Sequence, residues 1–162
     1  DELARAQRAG TLTRNFQGYS THGDCDIVAH GISAISMFGD CYSQHFRDRE
    51  RWGAALDGGG IPVARGIRLS ADDRLRRDAI TRLMCDFALD VPALEQRHGI
   101  DLATAFAREW AALEPLVADG LVRWAGRRLV VTPPGRLLVR NVAMVFDAYR
   151  GHEAGTGYSR AI

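Results

Sequence analysis

The run Gly58-Gly59-Gly60-Ile61-Pro62 constrains this chain most, because neither a helix interior nor a central strand passes through three glycines and a proline. It divides two stretches of different texture. Before it, Gly18, Gly23, Gly31 and Gly39 break residues 11–62 into short, irregular pieces. Asp26-Ile27-Val28-Ala29-His30-Gly31 reads as a buried strand entering a glycine turn, and Ile32 to Met37 as a second apolar stretch interrupted by Ser33 and Ser36. Arg47 to Leu56 reads as a helix stopped by the glycine run. So little amphipathic structure cannot close a core, and these residues are expected to form the margin of a sheet whose other strands lie elsewhere. Residues 1–10 read as the end of a helix closed by Gly10, with no initiator Met and no apolar signal-peptide core. The chain is therefore expected to begin partway through a protein.

Residues 63–151 carry regular patterning. Ser70 and Asp73 form an acidic variant of the capping box, and Leu75, Ala79, Ile80, Leu83, Met84 and Phe87 then recur at helical spacing. Pro92 opens a short helix that Gly99 stops. Leu102, Phe106, Trp110 and Leu113 mark a third helix, kinked or ended at Pro115, with Gly120 closing the segment. Leu121 to Trp124 and Arg128 to Val131 flank Ala125-Gly126-Arg127 as a β-hairpin. Thr132 caps a last helix with Pro133 at its first position; Leu138, Val142, Val145 and Tyr149 share one face, and Gly151 ends it. The expected class is α+β, with a mainly helical, winged-helix-like domain over 63–151 and a tail over 152–162.

Winged-helix modules often read DNA, but the third helix here, from Asp101 to Trp110, offers one arginine against two acidic groups. A net charge of +1 supplies no long-range pull toward nucleic acid or anionic membrane, so no nucleic-acid partner is expected. No apolar run approaches the roughly 20 residues that span a bilayer. All 21 basic residues are arginine and are spread along the chain, which points to base composition rather than to one site. Cys25, Cys41 and Cys85 make no CxxC pair, which fits a reduced cytoplasmic compartment and small buried hydrophobes. Asp24 and Asp26 read as capping residues, and His22, His30, His45, His98 and His152 as scattered structural or exposed groups.

A set of strings in fixed order carries a resemblance: Asn15-Phe16-Gln17-Gly18-Tyr19-Ser20-Thr21, Gly23-Asp24-Cys25-Asp26, Gly31-Ile32-Ser33-Ala34-Ile35-Ser36, Arg65-Gly66, Asp73 to Cys85, Gly135 to Asn141, and Tyr158-Ser159-Arg160. Together they resemble oxygen-independent coproporphyrinogen III oxidase, a radical S-adenosylmethionine family, over nearly the entire chain. The resemblance implies oxidative decarboxylation of two propionates of coproporphyrinogen III to vinyls, giving protoporphyrinogen IX in haem biosynthesis. It implies S-adenosylmethionine and a 4Fe-4S cluster as cofactors. The family's CxxxCxxC cluster motif does not occur in these 162 residues, so this chain alone is expected to be inactive. Its implied partner is the N-terminal barrel of the same protein, residues 1–62 being the margin of that partial β/α barrel, and the full-length enzyme is expected to be a monomer.

By the same resemblance, Phe16 and Gln17, with the segment Ser33, Ala34 and Ile35, approach a second S-adenosylmethionine. The Gln17 amide can donate and accept hydrogen bonds, and Ile35 can contact an adenine-sized ring; on the residues alone, a turn-stabilising amide and core packing serve as well. Arg14, Arg65, Arg68 and Arg160 are candidate partners for the substrate's carboxylates, against a default of surface solvation. Two other classes stay open: a haem-binding or haem-transfer relative of the same superfamily, and a winged-helix nucleic-acid-binding module. The Asn-Phe-Gln-Gly-Tyr string and the Tyr158-Ser159-Arg160 tail favour the enzyme.

Overall fold

The computed structural model describes residues 1–149. The chain forms two compact units, Asp1–Arg74 and the residues from Leu75 onward. The contact boundary thus falls inside a helix, whereas the sequence places the division at residue 62.

The first unit opens with α1 (Glu2–Ala9), capped by the Asp1 carboxylate and closed by Gly10 in the left-handed region (φ 69°). A small hairpin follows, β1 (Thr13–Asn15) with β2 (Gly18–Ser20). Next come β3 (Ile35–Phe38), β4 (Cys41–His45), α2 (Arg49–Asp57) and β5 (Val63–Arg68). The last three strands make an antiparallel sheet of order β3-β4-β5. α2 is the helix expected before the glycine run, with Asp48 accepting from the Arg51 N–H at 2.8 Å.

The expected buried strand at Asp26–Gly31 is not formed. Only Ile27 bridges to Met37, and Val28 is 60% exposed. Side chains compete for the hydrogen bonds a ladder would need: Asp26 Oδ1 accepts from the Gly39 N–H, and the buried Ser36 hydroxyl accepts from the Ala29 N–H. Asp26 thus reaches the turn between β3 and β4, 13 residues along the chain, rather than capping its own segment.

α3 (Ala71–Asp86) opens on the capping box. Ser70 Oγ accepts from the Asp73 N–H at 3.1 Å while Asp73 Oδ2 accepts from the Ser70 N–H at 2.8 Å. Leu75, Ala79, Leu83 and Met84 of α3 are buried in the second unit's core. That unit continues through β6 (Ala88–Asp90), α4 (Val91–His98), α5 (Leu102–Ala105), α6 (Ala107–Ala118), β7 (Val122–Ala125), β8 (Arg128–Val131), α7 (Pro133–Leu137), α8 (Val139–Ala143) and a 3₁₀ turn, Met144–Phe146. The core joins Leu89, Leu94, Leu102, Phe106, Leu113 and Phe146 to those of α3. Each such Leu or Phe contributes about 1.5–3 kcal/mol on burial.

The hairpin and α4 lie where the sequence placed them, but three details differ. β6, which the apolar pattern hid between two helices, pairs with β8 to give the order β6-β8-β7, the strand arrangement of a winged helix. The third helix breaks at Phe106, not at Pro115, which α6 carries in its interior. Phe106 is fully buried and packs edge-on against Trp110 and Phe146; the Trp110 indole donates across the break to the Leu102 carbonyl at 2.8 Å. Trp110 also meets Trp124 edge-on, ring centres 5.5 Å apart.

The last helix, expected to be continuous, is broken at Leu138 into α7 and α8. Leu138 and Tyr149, expected to share a face with Val142, are exposed, while Val142, Ala143 and Phe146 are buried. Gly135 sets this geometry. A Cβ there would collide with the Leu121 carbonyl, which accepts from both the N–H and the hydroxyl of Thr132. The expected end at Gly151 and the 152–162 tail lie outside the described residues.

Candidate functional site

Three of the sequence candidates, Phe16, Ile35 and Arg65, lie beside β4. In an antiparallel ladder, paired residues point to the same side and neighbours along a strand to opposite sides. Ile35, Gln44 and Arg65 are paired across β3, β4 and β5, and Met37, Tyr42 and Ile67 form the adjacent row on the same face. Gly66 lies between Arg65 and Ile67, where a Cβ would approach the Tyr42 carbonyl to 3.0 Å.

The β1–β2 hairpin brings Phe16 to this face. Thr13 to Ser20 pair around a two-residue loop, Phe16-Gln17, at which Asn15 Oδ1 accepts from the Gln17 N–H at 2.8 Å and Gly18 takes φ 130°. Phe16 meets the Tyr42 ring edge-on, centres 5.4 Å apart, yet stays 59% exposed. Gln17 is exposed beside it. The hairpin thus presents an aromatic ring and an amide from one tight turn. Arg14 lies 5.9 Å from the Tyr19 ring on the same hairpin.

Ser33 and Ala34 precede β3 in a loop held by backbone and side-chain bonds. Ser33 occupies the left-handed region (φ 59°), a conformation costing a non-glycine residue about 1–3 kcal/mol. Its N–H donates to the Phe46 carbonyl at 2.9 Å, and its own carbonyl accepts from Gln44 Nε2 at 3.2 Å. The Ala34 carbonyl accepts from the His45 N–H, and His45 Nδ1 lies 2.9 Å from the Gly31 carbonyl. Gln44 Oε1 in turn accepts from Arg65 Nε at 2.9 Å. Gln44 and His45 escape sequence reasoning because each acts through carbonyls 11 and 14 residues away in the chain.

Arg68 points to the opposite face. It pairs with Cys41 and lines a groove of 440 Å³ with Phe38, Asp40, Leu69 and Arg74, where Arg74 and Asp40 form a 2.7 Å ion pair. The structure therefore gathers Phe16, Ile35 and Arg65 and separates Arg68 from them. Arg160 lies outside the described residues. Cys25 is exposed and Cys41 half-buried, so of the three cysteines only Cys85 is the buried hydrophobe expected. Among the described residues, no three His, Cys, Asp or Glu side chains gather as metal ligands. No described helix is long and apolar enough to cross a membrane.

Among the described residues, the groups whose ionisation is displaced belong to the second unit. Burial pushes the Asp86 carboxyl up, opposed by the Arg82 guanidinium 2.7 Å away, and Asp86 Oδ1 finds no hydrogen-bond partner among the described residues. The Thr104 hydroxyl and the backbone N–H groups of Ala103 and Thr104 hold the exposed Asp101 carboxyl down.

The HemN C-terminal domain family matches residues 69–138. The oxygen-independent coproporphyrinogen III oxidase of Pseudomonas aeruginosa is 46% identical over all of this chain and 35% of its own length. That of Salmonella typhimurium is 49% identical over 95% of the chain and 34% of its own. The solved structure of coproporphyrinogen III oxidase (HemN) from Escherichia coli, a radical SAM enzyme, is 48% identical and superposes with a TM-score of 0.88 over 92% of this chain and 34% of that one. The chain thus spans about a third of the length of these relatives. The match to the Pseudomonas aeruginosa protein runs along the whole chain, so from the Phe16 hairpin through the second unit the chain is similar to a C-terminal portion of the oxygen-independent coproporphyrinogen III oxidases.

Proposed function

We propose that this chain is the C-terminal part of an enzyme that oxidatively decarboxylates two propionates of coproporphyrinogen III to vinyls, yielding protoporphyrinogen IX in cytoplasmic haem biosynthesis. Residues 1–62 complete a radical S-adenosylmethionine barrel, and residues 63–151 form a helical cover with its hairpin. The observation that carries this reading is the convergence of Phe16, Ile35 and Arg65 on one face of the β3-β4-β5 sheet, in a chain 46% identical throughout to such an oxidase.

These residues fit the nucleoside and carboxylate parts of S-adenosylmethionine. Phe16 and Ile35 offer apolar contact to an adenine-sized ring, the exposed Gln17 amide offers donors and an acceptor, and the loop of Ser33 and Ala34 approaches from the side. The described residues do not fit a 4Fe-4S cluster, whose ligands would come from the N-terminal part. When bound, the cluster and S-adenosylmethionine supply the hydrogen-abstracting chemistry; this chain's residues bind, orient and exclude water. Arg14, Arg65, Arg68 and Arg160 are offered for the substrate's carboxylates, with Arg65 best placed by the sheet.

In the full-length enzyme, Gln17→Ala should lower turnover about tenfold to a hundredfold, since a partner left unsatisfied costs about 1–3 kcal/mol and each decade about 1.4. Cluster absorbance should be unchanged. Gln17→Glu preserves shape but removes the amide donors and should lose activity too. Wild-type turnover by both folded, cluster-loaded variants would leave Gln17 a loop residue.

A further inference from the structure

We infer that Gln44 is the positioning residue of this face: one amide fixes the loop before β3 and aims Arg65 at a ligand carboxylate. The inference rests on the proposed function for the ligand's identity, but its structural half does not.

Three observations meet at this side chain. Gln44 is paired with Ile35 on one side and Arg65 on the other, so its amide lies between two candidate binding residues. Its Nε2 donates to the Ser33 carbonyl at 3.2 Å, and its Oε1 accepts from Arg65 Nε at 2.9 Å. Ser33 stands at φ 59°, a conformation a non-glycine residue keeps only when its surroundings hold it. An amide is the neutral group that can both donate to a carbonyl and accept from a guanidinium with one planar head.

The consequence for Arg65 is geometric. With Nε engaged by Gln44, the guanidinium plane is fixed, and its two terminal nitrogens, which have no partner among the described residues, form a fork suited to a carboxylate. Beside it, Met37, Tyr42 and Ile67 with Phe16 make an apolar row. The face therefore suits a ligand with a flat apolar body and a carboxylate at one end. Two sources carry that chemistry, the aminoacyl end of S-adenosylmethionine and a propionate of the porphyrinogen.

The test uses the full-length, cluster-loaded protein with Gln44→Ala, Gln44→Glu and the double variant Gln44→Ala with Ser33→Gly. Hydrogen exchange over residues 33–35 and the KM for each ligand are read alongside kcat. Gln44→Ala should speed exchange at 33–35 and raise one KM about tenfold, with kcat nearly unchanged, as expected on losing uniform binding. The ligand whose KM moves is the one whose carboxylate Arg65 holds. Gln44→Glu keeps an acceptor for Arg65 but has no donor for Ser33, so exchange should quicken with a smaller change in KM. Glycine tolerates positive φ, so the double variant should regain protection at 33–35 but not the lost affinity. Unchanged exchange and unchanged KM in Gln44→Ala would overturn the inference, as would an equal loss of folding in all three variants. If the wild-type protein turns over neither ligand, the proposed function fails, and protection at 33–35 alone decides whether Gln44 holds the loop.

Discussion

The two units solve opposite problems. From Leu75 onward, apolar side chains from α3, α4, α6, the β6-β8-β7 sheet and the final 3₁₀ turn close on one another in a dry core. In the first unit, Phe16, Val28, Ile61, Val63 and Ile67 remain exposed, as does every residue of β5. A region that buries its apolar residues specifies its own fold. A region that displays rings and aliphatics along a three-stranded sheet is built to meet something else, which accords with a chain spanning about a third of its relatives. The lesson is that burial and display of apolar side chains have been allotted to different stretches of one sequence.

The contrast can be broken most forcefully at Gly135. Gly135→Ala places a Cβ against the Leu121 carbonyl and should cost about 3 kcal/mol or more, visible as a large drop in the urea midpoint of the second unit. An unchanged midpoint would show that the second unit's backbone is more yielding than its burial implies.

A smaller effect is expected at the cap. Ser70→Ala removes the acceptor for the Asp73 N–H and should cost about 1 kcal/mol by denaturant titration. Fraying confined to the first turn of α3 would show in hydrogen exchange at residues 71–74; a loss spread through the core would contradict a local cap.

The smallest effect is pH-dependent. The Asp86 carboxyl is raised in the folded state, chiefly by burial, so the folded protein binds this proton more tightly than the unfolded chain. Its favourable contribution is complete below the ordinary carboxylate value of 3.8 and is lost as pH rises through the raised folded value. Asp86→Asn stays neutral throughout. The parent's stability relative to that variant should therefore fall as pH rises across this window; a rise would mean that the Arg82 pairing outweighs burial.

Much of α3 and of the second unit was legible because the signals there are local. The Ser70–Asp73 box, Pro92 and Gly99, and Gly126 in the hairpin act within a few residues of themselves. The breaks at Phe106 and Leu138 were not, because burial of Phe106 and the close passage of Gly135 past Leu121 are decided by distant partners. β6 was missed because Ala88-Leu89-Asp90 is too short to show a period of its own, and β8 is what makes it a strand. In the first unit, the family strings pointed to Phe16, Ile35 and Arg65 one by one. Nothing in the sequence brought them together with Tyr42 and Gln44, since that proximity is a property of strand register.

The aromatic cluster of the second unit has an optical consequence. Trp110 and Trp124 lie close enough, with rings inclined at 67°, for their electronic transitions to couple, whereas Trp52 sits in α2 of the first unit. The near-ultraviolet circular dichroism of this chain should therefore carry a split indole signal that belongs to one unit, while the lone indole of the other contributes chiefly to emission. The melting of the second unit can thus be followed by this split signal without any label.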